Sequence, residues 1–416
     1  MGPGSRFRLA MAVGLSDSST TQNRRHPKPA AIKPKLTIRQ APDQTFDGLT
    51  KPAMTKLAAP IERWLTVAVR AYASDLHLIA GYPPTLRLNG TLSELAETQL
   101  EASDLDNLLV ELCPPHWAQR LQDERNIDFA FASPIDEIST RFRVNLFYAA
   151  GHLGACFRII PPAIPDFAWA GFPVELANQL ASCRDGMVIL TGPTGSGKST
   201  TLAMVVNQIN LAGGHRIISI EEPLEFEFPH LPNSVVTQRE VGVDVLSFAE
   251  GLRNGLRQDP DVILVGEIRD LETAQMGLSA AETGHLVFTT LHSRDAKGAI
   301  TRFTDLFPSE AQRDIRSQLA LCLRAIVAQR LLPDVTPGQK CHLALELLWN
   351  TFPIASAIRT GKFETIDNYL MTGREEGMLC FDETIRQLFQ WGKITRDVAE
   401  KNVRDPLSLT RSSWGG

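Results

Sequence analysis

The sequence predicts an α/β chain in which a mostly parallel, doubly wound sheet over residues 182–405 follows a smaller α+β domain over 56–165. Three observations carry this. After Arg184, short apolar runs alternate with helical patterns; between 60 and 165, apolar and polar positions alternate along strand-like segments; and Pro161, Pro162 and Pro165 separate the two textures.

Residues 1–55 are rich in Ser, Thr, Pro, Gln and Lys, with little hydrophobic periodicity, and are expected as a disordered N-terminal arm. In the first domain, strands are expected at 76–78, 85–88 and 141–146, a hairpin turn at Asn89-Gly90, and a helix over 105–121. A linker is placed at 166–181. In the second domain the expected order is a strand at 187–190, a helix at 200–211, a strand at 216–220, a strand at 262–265, a helix at 271–282 and a strand at 285–290. One long helix over 310–331, a loop at 333–339, a late strand at 344–349 and C-terminal helices follow, with a tail at 406–416.

A chain of 416 residues has room for two to three domains, and 43% hydrophobic with 21% charged residues is ordinary for a globular protein. The net charge of −5 gives no reason to expect a nucleic-acid partner. Six scattered cysteines without a C-x-x-C pair read as reduced core thiols. Arg6 and Arg8 before the apolar run 9–15 faintly resemble a signal peptide, but the run is short and lacks a clear cleavage site, so a cytoplasmic address is expected. No apolar run is long enough to span a bilayer, so a membrane role must come through partners.

Gly192-Pro193-Thr194-Gly195-Ser196-Gly197-Lys198-Ser199, followed by Thr200, satisfies the Walker A pattern between an apolar strand and a helical pattern. Glycines let successive amides turn toward phosphate oxygens, the helix N-terminus adds a favourable dipole, Lys198 reaches the β- and γ-phosphates, and the Ser199 hydroxyl ligates magnesium (Mg2+). The motif by itself does not separate ATPases from GTPases or kinases. The run 259–267 is an apolar strand ending in Glu267, as in a Walker B element; Gly266 stands where an acidic ligand is common, which favours an outer-sphere role, the alternative being a glutamate that caps the next helix. Glu221, Glu222 and Glu225 cluster at another strand end, where one can serve as base for hydrolysis, or where all three form a solvated acidic loop. Arg239, Arg253, Arg257 and Arg269 crowd the same half of the chain, and Arg141, Arg143 and Arg158 lie in the first domain, where an arginine reaching another subunit's nucleotide would imply a ring.

Together these motifs resemble the secretion and type IV pilus ATPase superfamily, with the PilT-like retraction branch the most similar, over about 60–400. Ala73-Ser74-Asp75-Leu76-His77-Leu78, Gly81-Tyr82-Pro83-Pro84 and Arg141-Phe142-Arg143-Val144-Asn145 resemble its N-terminal signatures. The runs 220–226, 258–270 and 280–292 resemble its aspartate box, Walker B and histidine box. Glu222 stands where the aspartate box has Asp, no tetracysteine element of the assembly and type II branches is present, and Ala355 replaces an arginine of the retraction motif at 353–359.

The resemblance implies a homohexameric motor with a PAS-like first and a RecA-like second domain, using ATP and Mg2+ and acting on an inner-membrane platform protein of a pilus or related secretion machine. It implies that Glu225 is the catalytic glutamate, Glu267 the Walker B glutamate, and His285 and His292 the histidine box. It also implies that Arg141, Arg143 and Arg158 are first-domain arginines near nucleotide. A type IVB secretion or conjugation ATPase, or a slow nucleotide-dependent regulator of the same fold, is the alternative.

Overall fold

In the computed structural model, residues 57–410 are described except 89, 137, 161–162 and 337–338. The expected arm at 1–55, Asn89 of the expected turn, Pro161, Pro162 and residues 411–416 lie outside them. The first elements are α1 (Ala59–Arg70), β1 (Asp75–Leu78), β2 (Thr85–Leu88), β3 (Thr91–Glu94), α2 (Ala102–Leu112), α3 (Pro115–Glu124), β4 (Asn126–Ile135), β5 (Ile138–Ala149) and β6 (His152–Ile160). Their strands form an antiparallel sheet in the order β3-β2-β1-β6-β5-β4. The helical spacing expected over 105–121 is interrupted at Cys113-Pro114-Pro115, because proline lacks an amide donor and restricts the residue before it.

The pleat sorts the side chains of this sheet. On β5, Phe142, Val144 and Leu146 are buried in the core with Leu76, Phe157 and Leu109, while Arg141, Arg143 and Asn145 take the opposite face. Burying each phenylalanine contributes about 2 kcal/mol. The register then sets Arg143 opposite Arg158, Asn145 opposite Cys156, and Asp75 opposite both Arg158 and Arg87.

The remaining elements are α4 (Phe167–Ala170), α5 (Val174–Ala181), β7 (Gly186–Thr191), α6 (Lys198–Ala212), β8 (Arg216–Glu221), β9 (Val235–Glu240), α7 (Phe248–Gly255), β10 (Val262–Val265), α8 (Leu271–Glu282), β11 (Leu286–Leu291), α9 (Ala296–Asp305), α10 (Gln312–Cys322), β12 (Leu323–Leu332), β13 (His342–Trp349), α11 (Phe352–Thr360), α12 (Ile366–Thr372), α13 (Phe381–Gln390) and α14 (Arg396–Asn402). The segment 166–181, expected as a linker, folds into α4 and α5, and Leu176, Ala177 and Leu180 pack in the core of the second sheet.

That sheet has seven strands in the order β13-β12-β7-β11-β10-β8-β9, parallel except for β12 against β13. Helices cover both faces, so its central strands are apolar throughout. Met187 and Ile189 of β7 enter one hydrophobic cluster, and Val188 and Leu190 enter the other. The long helix expected over 310–331 is instead α10 followed at once by β12. Its apolar residues fit either period, and pairing with β7 and β13 decides for strand from Leu323 onward.

The two sheets meet in specific contacts. Arg141 Nη1 donates to Glu227 Oε1 at 2.9 Å, and the Trp117 ring lies against Gly242, where an added Cβ would approach it to 3.3 Å. All six cysteines are free thiols; Cys113 and Cys322 are buried and the other four half-buried. Among the described residues no helix is long and apolar enough to cross a membrane.

Candidate functional site in the cleft between the sheets

A cleft of about 920 Å³ opens between the cleft-facing side of the first sheet and the C-terminal ends of the parallel strands of the second. Doubly wound sheets bind ligands at those strand ends. One wall carries Asp75, Arg87, Asp128, Arg143 and Arg158; the other carries Thr194, Gly195, the run 197–200, Glu221, Glu222, Glu225, Glu267, Arg269 and His292.

The loop from Gly192 to Gly197 joins β7 to α6. Gly192 has φ +146°, and a Cβ there would stand 2.4 Å from the Gln329 carbonyl oxygen and 2.6 Å from Ser196 Oγ. Only glycine fits that close approach. Gly195 and Gly197 also have positive φ, so the loop curls back and aims its amides inward at the start of α6. Lys198 is 8% exposed and its Nζ donates to the carbonyls of Gly192 at 3.0 Å and Pro193 at 3.1 Å. Burial pushes its ammonium pKa down, partly opposed by Glu267 and Glu225. Ser196 Oγ is buried without a hydrogen-bond partner, and Ser199 and Thr200 line the cleft at the first turn of the helix.

Glu267 follows β10 by two residues and lies against Arg269 Nε at 2.7 Å and His292 Nε2 at 3.3 Å. Thr290 Oγ1 donates to the Gly266 carbonyl at 2.7 Å, fixing the turn between them. A Cβ at Gly266 would come within 3.3 Å of Glu221 Cα, so this position is tight for any larger residue. Burial, helped by Lys198, pushes the His292 pKa down, which favours the neutral imidazole.

The fold separates the three clustered carboxylates. Glu222 faces Arg269 at 3.8 Å, Glu225 lines the cleft within electrostatic reach of Lys198, and Glu221 Oε1 is buried without a partner. Burial pushes Glu221 up to about 7, against the smaller help of Ser219, Gln238 and Arg141.

The candidate arginines also divide. Arg143 pairs with Asp128 at 3.6 Å and Arg158 with Asp75 at 3.0 Å, both on the cleft wall, whereas Arg141 is turned to Glu227. Arg253 is engaged by Glu272, Arg257 is exposed, and Arg239 is half-buried on β9 with Nη1 unpartnered; none of these lines the cleft. Nor does His285, which precedes β11 and bonds through Nδ1 with Ala280 and Thr283, roughly 20 Å from the strand end that carries His292. Sequence reasoning assigns no role to Arg269 or Gln329. The signal for Arg269 is its place two residues after Glu267, whereas Gln329 has no local signal because its strand fits a helical pattern equally well.

The model of the family described as type II/IV secretion system protein matches residues 53–376. The chain belongs to this family. Within it, the chain is similar to the type IV pilus retraction ATPase PilT of Pseudomonas aeruginosa, at 37% identity over 346 residues, covering 83% of this chain and 98% of that protein. Among solved structures it is similar to the pilus retraction motor PilT with bound ADP, at 39% identity and a TM-score of 0.73, covering 85% of this chain and 99% of that one. It is also similar to the ATPase DotB of Legionella pneumophila, at 26% identity and a TM-score of 0.70, covering 84% and 96%.

Proposed function

We propose that the chain is a motor ATPase of a type IV pilus or a related secretion machine, with its nucleotide in the cleft between the two sheets. The observation that carries this is the convergence on one cleft of a glycine loop, a buried Lys198 held on that loop's own carbonyls, and the carboxylates of Glu225 and Glu267. Lys198 exchanges the Gly192 and Pro193 carbonyls for β- and γ-phosphate oxygens, and the amides of 192–200 cradle the phosphates at the helix N-terminus. Glu225 orients the attacking water and takes its proton. Glu267 is held in an outer-sphere position by Arg269 and His292, and the neutral His292 reads the γ-phosphate end of the nucleotide. Arg143 and Arg158 approach the nucleotide from the first sheet.

The donor set fits magnesium. The Ser199 hydroxyl lines the cleft at the first turn of α6 beside Lys198, and Mg2+ favours few protein ligands together with waters and phosphate oxygens. That hydroxyl would supply the protein ligand, and the ion would neutralise charge on the phosphates when bound.

The reading includes a homohexamer, a PAS-like domain at 56–165, a RecA-like domain at 182–405, and docking of the cytoplasmic ring on an inner-membrane platform protein. The PilT similarity supports the pilus; the DotB similarity keeps a related secretion machine as the second reading. Steady-state phosphate release by the purified chain tests the chemistry. Lys198→Ala and Glu225→Gln should each lower it by about 100-fold or more. Unchanged turnover in either variant would sink the mechanism, and a monomer at every concentration with an ATP analogue present would sink the ring.

A further inference from the structure

We propose that Arg404 is a positioning residue for the loop that carries His292, through which the C-terminal helices clamp the nucleotide-facing side of the site; this rests on the nucleotide reading of the cleft. Arg404 lies beyond the residues that the family model matches, 53–376. Its guanidinium joins three elements. Nη2 meets Asp295 Oδ2 at 2.9 Å and Glu346 Oε2 at 3.2 Å, and Nη1 meets Asp367 Oδ1 at 2.6 Å. Asp295 caps α9, Glu346 belongs to β13 and Asp367 to α12. The Glu346 side chain is 1% exposed, and a carboxylate so placed demands a cation and hydrogen bonds. Arg404 supplies the first, and Ala296 N supplies one of the second at 2.9 Å from Oε1.

Arg404 is itself fixed. Asp382 accepts from its backbone N at 2.8 Å and from Asp405 N at 2.9 Å. A second strut runs beside it, since Arg330 donates to Asn402 O at 2.8 Å and to Arg294 O at 3.3 Å while stacking on Phe381 at 4.1 Å. On the other side the loop is tied to the strand that opens the glycine loop. Ser293 N and Oγ lie 3.0 Å and 2.7 Å from Thr191 Oγ1, and Ser293 Oγ donates to Asp295 O at 3.0 Å. Residues 292–295 are therefore strung between β7 and the C-terminal segment, and His292, at their head, contacts Glu267. A displacement of the C-terminal helices reaches Glu267 through two struts and one short loop.

Hydrogen exchange on the nucleotide-free full-length chain tests the clamp, with Arg404→Met removing the fork and Arg404→Lys keeping the charge on a single centre. Arg404→Met should speed exchange at the Ser293 and Ala296 amides by about tenfold or more, with Lys intermediate. A role confined to holding the C-terminal segment would leave those two amides at wild-type rates, and that result overturns the proposal. The second measurement is a double-mutant cycle on kcat. Arg404→Met should lower kcat several-fold, and combined with His292→Ala it should add little to the loss from His292→Ala alone. Multiplicative losses overturn the coupling. If Arg404→Met does not fold, Asp382→Ala, which releases the Arg404 and Asp405 amides and leaves the three carboxylates of the fork in place, takes its place in both measurements: faster exchange and non-additive kcat losses support the clamp, and wild-type exchange or multiplicative losses overturn it. A wild-type chain that binds no ATP analogue would refute the nucleotide reading separately, because the exchange result needs no nucleotide.

Discussion

Replacing Glu221 with glutamine should stabilise the protein, and do so only at neutral and higher pH. The carboxyl sits at the end of β8 with Oε1 shut off from water and unpartnered, faced by Ser219, Glu225, Gln238 and Arg141. Burial raises its folded pKa from the ordinary 4.5 to about 7. A carboxyl with a raised folded pKa binds its proton more tightly when folded, so its favourable contribution is complete below 4.5 and is lost as pH rises through about 7. Above that, the folded chain bears a charge that the unfolded chain solvates freely. At about 1.4 kcal/mol per pH unit, the interval gives a ceiling of about 3 kcal/mol. Water reaching the rest of this half-buried side chain lowers it, so about 1 to 3 kcal/mol is expected at pH 8. Glutamine keeps the shape and cannot ionise. Thermal unfolding of the two proteins at pH 5 and pH 8 reads the difference directly. The variant should melt about 1 to 4 °C higher at pH 8 and nearly with the wild type at pH 5. Equal shifts at both values, or a loss of stability at pH 8, would show that the carboxylate is satisfied where it stands.

Two further outcomes follow from the site. Gly192→Ala should lower stability by about 2 kcal/mol or more and abolish nucleotide-analogue binding, since its Cβ would collide with the Gln329 carbonyl oxygen; Gly195→Ala, with nothing within 4 Å, should lose only about 1 kcal/mol. Unfolding midpoints of the pair decide it, and equal effects would remove the steric argument. His292→Ala should reduce kcat, whereas His285→Ala should alter stability and leave kcat at the wild-type value; comparable kcat losses in phosphate-release assays would contradict the placement of His285 at the end of β11 away from the cleft.

The parts legible in the sequence are those whose determinants are contiguous. The β7 strand, the glycine loop and the first turn of α6 follow one another in the chain, so 187–200 shows its strand, its conformational demand and its lysine at once. The β10 strand and α8 are likewise local, one an apolar run and the other capped by Asp270 at Thr273 N. What stays hidden depends on tertiary neighbours. Nothing in Leu323-Arg324-Ala325-Ile326 separates strand from helix until β7 and β13 supply hydrogen-bond partners. Glu221, Glu222 and Glu225 look alike in the sequence, and only the fold, which brings all three to the cleft wall, buries an oxygen of the first, turns the second to Arg269 and sets the third within reach of Lys198. His285 and His292 look like a pair because they flank one strand, yet a strand has two ends and the cleft lies at one of them.

The register of β12 sets a limit on how the length of this chain can vary. The helix ends at Cys322 and the strand begins at Leu323, with no loop between them. Leu323 and Ile326 point into one hydrophobic cluster, and Ala325 and Val327 into the other, on either side of a bulge at 323–325. The bulge is where one extra residue is absorbed, so it is beyond it, between Ile326 and Gln329, that inserting or deleting one residue would turn every later strand side chain to the wrong face. It would also remove the Gln329 carbonyl from its place against Gly192. Natural length variation should therefore fall outside 326–329, and a gap opened inside that stretch in an aligned relative would be a sign of misalignment.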